Sequence, residues 1–216
     1  MRINGLSLMT IIYRIFFAFY YFFSLPIHMF RTRGTAAPIS IKTLFIQKIL
    51  GFNRSAHWPM HHSSLVTNPR NILIGKGTAP GLSPGCYIQG IGKITIGDYT
   101  IIGPNVGIIS ANHNIYDYRK HTIGSVTIGN YCWIGMNSVI LPNVILGDHT
   151  IVAAGSIVNK SFPHGFVILA GNPARVIKEI DPALCNIFQN PYVYYGYIPE
   201  KWFNWWKKLF LNDDLD

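Results

Sequence analysis

Acid is the first thing this chain lacks. Only nine of its 216 residues are Asp or Glu, none of them precedes Asp98, and residues of either charge make up 12%. Ten Lys or Arg fall within residues 1–97, so the first half is wholly cationic and the net charge is +9. With 49% apolar residues, so little charge excludes intrinsic disorder. The cations are scattered among Phe, Tyr and Ile rather than gathered in a stripe. That argues against nucleic acid and points to an anionic membrane surface or a phosphate-bearing ligand. Cysteine is scarce as well: Cys86, Cys132 and Cys185 are odd in number and lack CxxC spacing, which argues against a disulfide framework and a zinc site and suits a reducing cytoplasm.

Glycine and proline are in surplus instead. Twenty Gly and 13 Pro fall well short of a collagen-like composition, so they mark turns between many short strands in a chain long enough for one domain.

From Leu6 to Phe30 the chain reads LSLMTIIYRIFFAFYYFFSLPIHMF, 25 residues with Arg14 as the single charge and Arg2, Arg31 and Arg33 as flanks. The run is long enough to span a bilayer. Arg14 would cost about 2.5–3.5 kcal/mol at the membrane centre and Pro26 interrupts a helix, so a helix lying in the interface or a shallow hairpin is an equal reading. An ordinary buried helix is the third, although Phe, Tyr and Ile leave no polar face for water. The run exceeds the apolar core of a signal peptide. We expect membrane contact.

An internal period appears from Val126: VTIGNY CWIGMN SVILPN VILGDH TIVAAG SIVNKS. Ile128, Ile134, Ile140, Leu146, Val152 and Val158 are six residues apart, and Ile96, Ile102 and Ile108 repeat the pattern earlier. A period of six suits neither a helix nor a hairpin meander. It suits a short strand and a sharp turn three times per coil, with one aliphatic per face pointing into a triangular prism. Gly75, Gly97, Gly103, Gly129, Gly135 and Gly147 follow the inward aliphatics, where tight corners or positive φ are expected.

Carried by this repeat and by the stretch AAGSIVNKSFPHGFVILAGNPARVIKEI at residues 153–180, the chain resembles the left-handed β-helix, hexapeptide-repeat O-acetyltransferases, in particular the galactoside and maltose acetyltransferase branch. The resemblance covers about residues 70–180. It implies a mainly β fold, a left-handed parallel β-helix, here with a hydrophobic N-terminal helical segment and a short C-terminal helix. It also implies acetyl-CoA as donor, a homotrimer and active sites between subunits. We divide the chain into a membrane-associated segment (1–34), a connecting region (35–70), the β-helix acyltransferase domain (71–180) and an aromatic C-terminal extension (181–216).

Ile128 follows Ile108 by 20 residues, two more than three repeats, and the insert ISANHNIYDYRKHTIGSV breaks the period. A polar loop leaving a rigid scaffold is where chemistry is expected. His113 in this loop matches the position where the related acetyltransferases keep their catalytic histidine. A hydroxyl attacks a thioester poorly unless a base takes its proton, and neutral imidazole has the nearest pKa. Asp117 or a backbone carbonyl can hold the other ring nitrogen.

His121 is a second candidate, and His149 reads as a solvated corner. His57, His61 and His62 lack an accompanying carboxylate or cysteine, and Pro59 interrupts any helix that would align them, so no metal is expected. By the same resemblance Lys160 and Arg175 match positions contacting the phosphate-bearing end of the donor, and Gly135 and Ala154 match positions along its pantetheine arm; Lys160 reads equally as solvated surface charge. Met136 stands where the related enzymes have serine, and their acceptor-binding asparagine and acidic partner have no counterpart, so acceptor identity does not transfer.

The tail KWFNWWKKLF, residues 201–210, suits a membrane interface or a helix capping the prism. The function expected is acetyl transfer from acetyl-CoA to a sugar hydroxyl of a cell-surface polysaccharide or lipid-linked precursor, at the inner face of the cytoplasmic membrane. The alternatives are a same-fold acetyltransferase of a soluble small molecule such as serine or an antibiotic, and a non-catalytic or carbonic anhydrase-like hexapeptide trimer, which would need three histidines around an interface metal.

Overall fold

An aliphatic side chain at every sixth position can be buried only if the chain turns through a third of a circle between successive ones, and the computed structural model does this. It describes residues 2–3, 6–7, 20 and 23–211. Three parallel faces result. One stacks Ile72–Ile74, Lys93–Ile96, Ser125–Ile128 and Val144–Leu146. The second stacks Ile101–Ile102, Trp133–Ile134, Ile151–Val152 and Val167–Gly171, and Ala174–Glu179 closes it antiparallel. The third stacks Leu65–Thr67, Tyr87–Gln89, Gly107–Ile109, Val139–Ile140 and Ile157–Val158. The stack therefore opens at Leu65.

The register explains the period. Ile96, Ile128 and Leu146 pair in one column, Ile102, Ile134, Val152 and Leu169 in another, and Ile88, Ile108, Ile140 and Val158 in the third; all are buried. Each such burial contributes about 1.5–3 kcal/mol, against about 0.5–1.5 net for a hydrogen bond, so the columns dominate the stability of the stack. Small polar residues at the corners satisfy the backbone where strands end. Thr100 Oγ1 donates to the Gly129 carbonyl at 2.7 Å and accepts the Cys132 N–H at 3.1 Å, linking two coils.

Of the two reasons expected for the six glycines, tight corners or positive φ, the second does not apply, since none of them adopts positive φ. Left-handed backbone falls instead on Tyr99, Asn105, Tyr131, Asn137, Asn143 and His149. The glycines are needed for close approach: a Cβ on Gly129 would lie 2.7 Å from the carbonyl carbon of Gly147, and one on Gly97 2.6 Å from that of Gly129. Coil stacks on coil there with no room for a side chain.

His149 is likewise no solvated corner. Tyr99, Tyr131, His149 and Phe166 hold one corner of successive coils, with ring centroids 5.5, 5.0 and 5.1 Å apart. Non-glycine residues pay about 1–2 kcal/mol for left-handed backbone, and stacking returns about 0.5–1.5 per pair. The C-terminal extension lies along this column, where Tyr131 Oη donates to the Phe188 carbonyl at 2.9 Å.

A second cluster forms at the first-coil end. Ile39, Tyr194, Tyr197, Ile198, Phe203 and Trp206 are buried together, with Leu25, Met29 and Leu44 against them. The helix Glu200–Phe210 buries Phe203 and Trp206 there, as the capping reading of the tail expects. Residues 23–32 are helical, and Arg2–Ile3 pairs with Leu6–Ser7 as two short strands. Most of the apolar run Leu6–Phe30 lies outside the described residues. Among the described residues no helix is long and apolar enough to cross a membrane.

Candidate active site

The histidine loop grows from the third face. Ile108 stacks between Ile88 and Ile140, whereas Ile128 stacks between Ile96 and Leu146, so the two lie on adjacent faces rather than three repeats apart. Corresponding residues across the loop are 32 apart, against 18 for the regular coil that follows it, which makes the insert 14 residues. A spacing of 20 concealed it because one face step and the insert together come within two residues of a full coil.

Its root is fixed by polar groups of the coil below. Ser110 Oγ donates to the Gln89 carbonyl and accepts the Gly92 N–H at 2.9 Å, and Gln89 Oε1 accepts the Ala111 N–H at 2.9 Å. From that root Ala111–His113 and His121–Ile123 rise as an antiparallel pair. The turn is organised by Asn114, whose Oδ1 accepts the N–H groups of Tyr116 (2.9 Å) and Asp117 (3.1 Å), an Asx turn.

His113 is exposed, and its Nδ1 lies 2.5 Å from the Tyr118 carbonyl oxygen. A carbonyl only accepts, so Nδ1 carries the proton and, in the neutral ring, Nε2 is bare. The partner is thus the backbone carbonyl rather than Asp117. The Asp117 carboxylate is taken by the Arg119 guanidinium at 2.9 and 3.2 Å, which holds it below the usual carboxylate range. His121 is the cross-strand partner of His113, with rings 4.7 Å apart.

The other candidates are spread over the prism. Gly135 is buried where its coil meets the next, and a Cβ there would lie 2.7 Å from the Ala154 nitrogen, so these two are stacked neighbours at the end of the second face. Arg175 is exposed on the antiparallel strand closing that face, with one guanidinium nitrogen donating to the Ala174 carbonyl at 2.9 Å. Lys160 is exposed beyond the last strand of the third face, its Nζ 5.4 Å from the Phe162 ring centre. Among the described residues no hydrogen bond or ring contact joins His113 to any of these four. The loop tip is apolar and uncovered: Ile115, Tyr116 and Tyr118 are 86%, 92% and 78% exposed.

The three histidines of the connecting region do not converge. His57 is buried between Trp58 and Trp206, while His61 and His62 stack on each other at 4.1 Å. Among the described residues no group of three His, Cys, Asp or Glu side chains comes together. Burial pushes the Cys132 thiol up to about 11, so it is no nucleophile.

Residues 125–160 match the family described as bacterial transferase hexapeptide (six repeats). The galactoside O-acetyltransferase of Escherichia coli (strain K12) is 44% identical over 92 residues, which are 41% of this chain and 45% of that protein. A solved galactoside acetyltransferase in complex with coenzyme A superposes with a TM-score of 0.56 at 28% identity, covering 77% of this chain and 88% of that one. A maltose O-acetyltransferase from Clostridium difficile 630 gives 0.50 at 26%, covering 66% and 79%. The chain spans about half the length of the curated relatives it matches. The β-helix is of their left-handed kind.

Proposed function

From a left-handed β-helix of hexapeptide repeats whose one long insert carries a histidine, we propose an acetyl-CoA-dependent O-acetyltransferase acting on a sugar hydroxyl, with His113 as general base. The observation that carries this is the hydrogen bond from His113 Nδ1 to the Tyr118 carbonyl, which in the neutral ring leaves Nε2 as the bare nitrogen on an exposed loop with a fixed root. Nε2 takes the proton of the acceptor hydroxyl as its oxygen attacks the thioester carbonyl. The Tyr118 carbonyl then faces an imidazolium and stabilises it. The same proton is returned to the departing sulfur, so no covalent enzyme intermediate is needed.

Acetyl-CoA supplies the acetyl group. Gly135 and Ala154, which offer no bulk, line the path of the pantetheine arm, and Arg175 and Lys160 meet the phosphate-bearing end. The His113 loop grows from the third face whereas Gly135, Ala154 and Arg175 lie on the second, which supports a homotrimer with sites between copies; the exposed tip formed by Ile115, Tyr116 and Tyr118 suits a neighbour's surface. The cationic, acid-free first half and the apolar run Leu6–Phe30 support an acceptor met at the inner face of the cytoplasmic membrane, on a lipid-linked precursor of a surface polysaccharide.

The test is transfer itself. Purified full-length protein is incubated with acetyl-CoA and a panel of sugars and amines, and both free thiol and acceptor mass are followed. Thiol release with one acetyl gained by a sugar is expected. Transfer confined to amines or amino acids would overturn the sugar reading, and no transfer to any class would overturn the enzyme reading.

A further inference from the structure

On two successive helical segments the most deeply buried side chains are polar, although Leu25, Met29 and Leu44 also pack against the second cluster. In residues 23–32 the buried side chains are polar: His28, 1% exposed, sits with Nε2 2.7 Å from Ser24 Oγ and Nδ1 2.7 Å from Tyr194 Oη. Thr32, also buried, donates from Oγ1 to the His28 carbonyl at 2.8 Å and accepts the Ile39 N–H at 2.9 Å. Ile27 and Phe30 meanwhile stand 51% and 77% exposed.

The next segment, Ile41–Leu44 continuing through Phe45–Ile49, repeats this pattern. Gln47 is fully buried; its Nε2 donates to the Trp58 carbonyl at 2.9 Å, and its Oε1 accepts from Met60 N–H at 3.1 Å and Tyr197 Oη at 2.8 Å. Lys48 Nζ donates to the carbonyls of Arg54 and Ala56 at 2.7 and 2.5 Å. Ile41, Phe45 and Ile49, spaced four apart on one side, are 60%, 52% and 65% exposed. A helix solvated by water turns its apolar stripe to the core and its polar side out. Here polar groups anchor the helix beside its core-facing apolar residues, and a second apolar stripe has no cover among the described residues.

We propose that the outward sides of these two segments, Ile27 and Phe30 together with Ile41, Phe45 and Ile49, form a docking surface for an anionic lipid bilayer. The proposal rests on the membrane reading above and extends the contact from the end of the N-terminal apolar run to residues 41–49, in the region read as a mere connection. Charge selects the occupant. Arg33 and Lys42 are exposed between and beside the stripes, and no carboxylate occurs before Asp98. Such a surface complements anionic headgroups, whereas a second copy of itself would set cation against cation. The segments also continue the apolar run that begins at Leu6. The Trp-rich helix Glu200–Phe210 is not part of the surface, because Phe203 and Trp206 are spent in the core.

The full-length protein is sedimented with vesicles of phosphatidylcholine alone and of phosphatidylcholine with roughly one-third phosphatidylglycerol, since interfacial binding follows buried apolar area and attraction to anionic lipid. Binding to the anionic vesicles should be at least about tenfold tighter and should weaken in high salt. The variant Ile41→Ser/Phe45→Ser/Ile49→Ser should bind about a hundredfold more weakly with sedimentation mass unchanged. Should that variant not fold, Arg33→Glu/Lys42→Glu carries the test: the preference for anionic vesicles should disappear.

Triple-variant binding equal to wild type would put the contact in residues 6–22 and overturn the proposal. A changed sedimentation mass would make the face a contact between copies, and wild-type protein binding neither vesicle would remove the bilayer; either outcome overturns it. Acetyl transfer to a water-soluble sugar is followed on the same samples. Failed docking with intact transfer sinks the surface alone, and docking without transfer sinks the enzyme reading alone.

Discussion

The Nδ1 of His113 hydrogen-bonds the Tyr118 carbonyl at 2.5 Å, across a turn that the Asn114 side chain holds closed. The ring is thereby oriented and its tautomer chosen before any substrate arrives. His113→Ala should lower kcat by about 10²–10⁴, the usual worth of a general base, and leave the KM for acetyl-CoA and the melting temperature nearly unchanged because the side chain is exposed. Steady-state kinetics beside a thermal melt check this, and near-normal turnover would remove His113 from the mechanism.

The donor end makes a separate prediction. Arg175 is exposed and, among the described residues, its side chain hydrogen-bonds only the adjacent Ala174 carbonyl, so the fold does not depend on that side chain. A cation remote from the thioester is felt alike in ground and transition states. Arg175→Ala should therefore raise the KM for acetyl-CoA about tenfold or more, the worth of one charged contact, while kcat changes little. Arg175→Lys should recover only part, having lost the planar fork. An unchanged KM would return Arg175 to ordinary surface.

The prism itself was legible because its cause is local: Ile128, Ile134 and Ile140 are six apart for the reason that each face needs one inward side chain. Which of the two glycine constraints applies is not legible, because the close approach is not local. Gly129 is bounded by Gly147 and Asp148 of the next coil, and no spacing within its own repeat records that approach. His149 was misread for the same reason, since its stacking partners Tyr131 and Phe166 are on neighbouring coils. The loop was legible as a break in period, but its 14-residue insertion was hidden until the faces could be told apart. The carbonyl holding His113 belongs to the backbone of Tyr118, and a backbone atom leaves no mark in a sequence. The exposed stripe of residues 41–49 is not legible in the sequence: Ile41, Phe45 and Ile49 recur every four residues, but Leu44 and Ile46 are apolar as well, so the pattern does not say which side is inside.

That steric reading of the glycines can be measured. In Gly129→Ala the new methyl would sit 2.6 Å from the Asp148 nitrogen and 2.7 Å from the Gly147 carbonyl carbon, both backbone, so two coils must separate. We expect a loss of about 3 kcal/mol, the upper end for overpacking. For a chain of this size that lowers Tm by roughly 6–12 °C. A substitution at Gly34, where φ is +80° and no atom lies within 4 Å, should show backbone strain alone and a smaller loss. Equal melting temperatures for Gly129→Ala and wild type would mean that the coils do not touch as described.

Stability should depend on pH through His57. Burial, assisted by the nearby Lys48 cation, lowers its pKa from 6.5 to about 3, and its Nε2 has no hydrogen-bond partner among the described residues. Above pH 6.5 the ring is neutral whether the chain is folded or unfolded. Between 6.5 and about 3 the unfolded chain takes up a proton that the folded chain refuses, so stability falls as pH falls and levels off below that window. The slope attributable to this group is at most about 1.4 kcal/mol per pH unit. Melting temperatures from neutral to acidic pH should decline, and His57→Phe, which keeps a flat ring between Trp58 and Trp206, should flatten the decline. A parallel decline in the variant would assign the acid sensitivity elsewhere.

The proposed trimer makes the last prediction, from a row of side chains on the wrong side of a strand. Ile101, Trp133, Ile151 and Ile168 are aligned by strand pairing on the second face and point away from the prism axis, and Ile101 and Trp133 are 48% and 55% exposed. A sheet face that met only water would carry polar residues at these positions. A continuous apolar row instead fits the proposed trimer, in which another copy would cover it. Sedimentation of the wild-type protein should give three copies of the 24.3 kDa chain. Trp133→Glu should release single copies: a carboxylate buried in an apolar interface is strongly unfavourable, whereas the prism core, built from the opposite sides of these strands, is untouched. Its circular dichroism should accordingly match wild type. Acetyl transfer should be lost along with the trimer, because Arg175 and Gly135 of one copy then have no neighbouring His113 to work with. Activity retained by single copies would mean that each copy holds a whole site, and a wild-type protein sedimenting as one copy would leave the apolar row to some other partner.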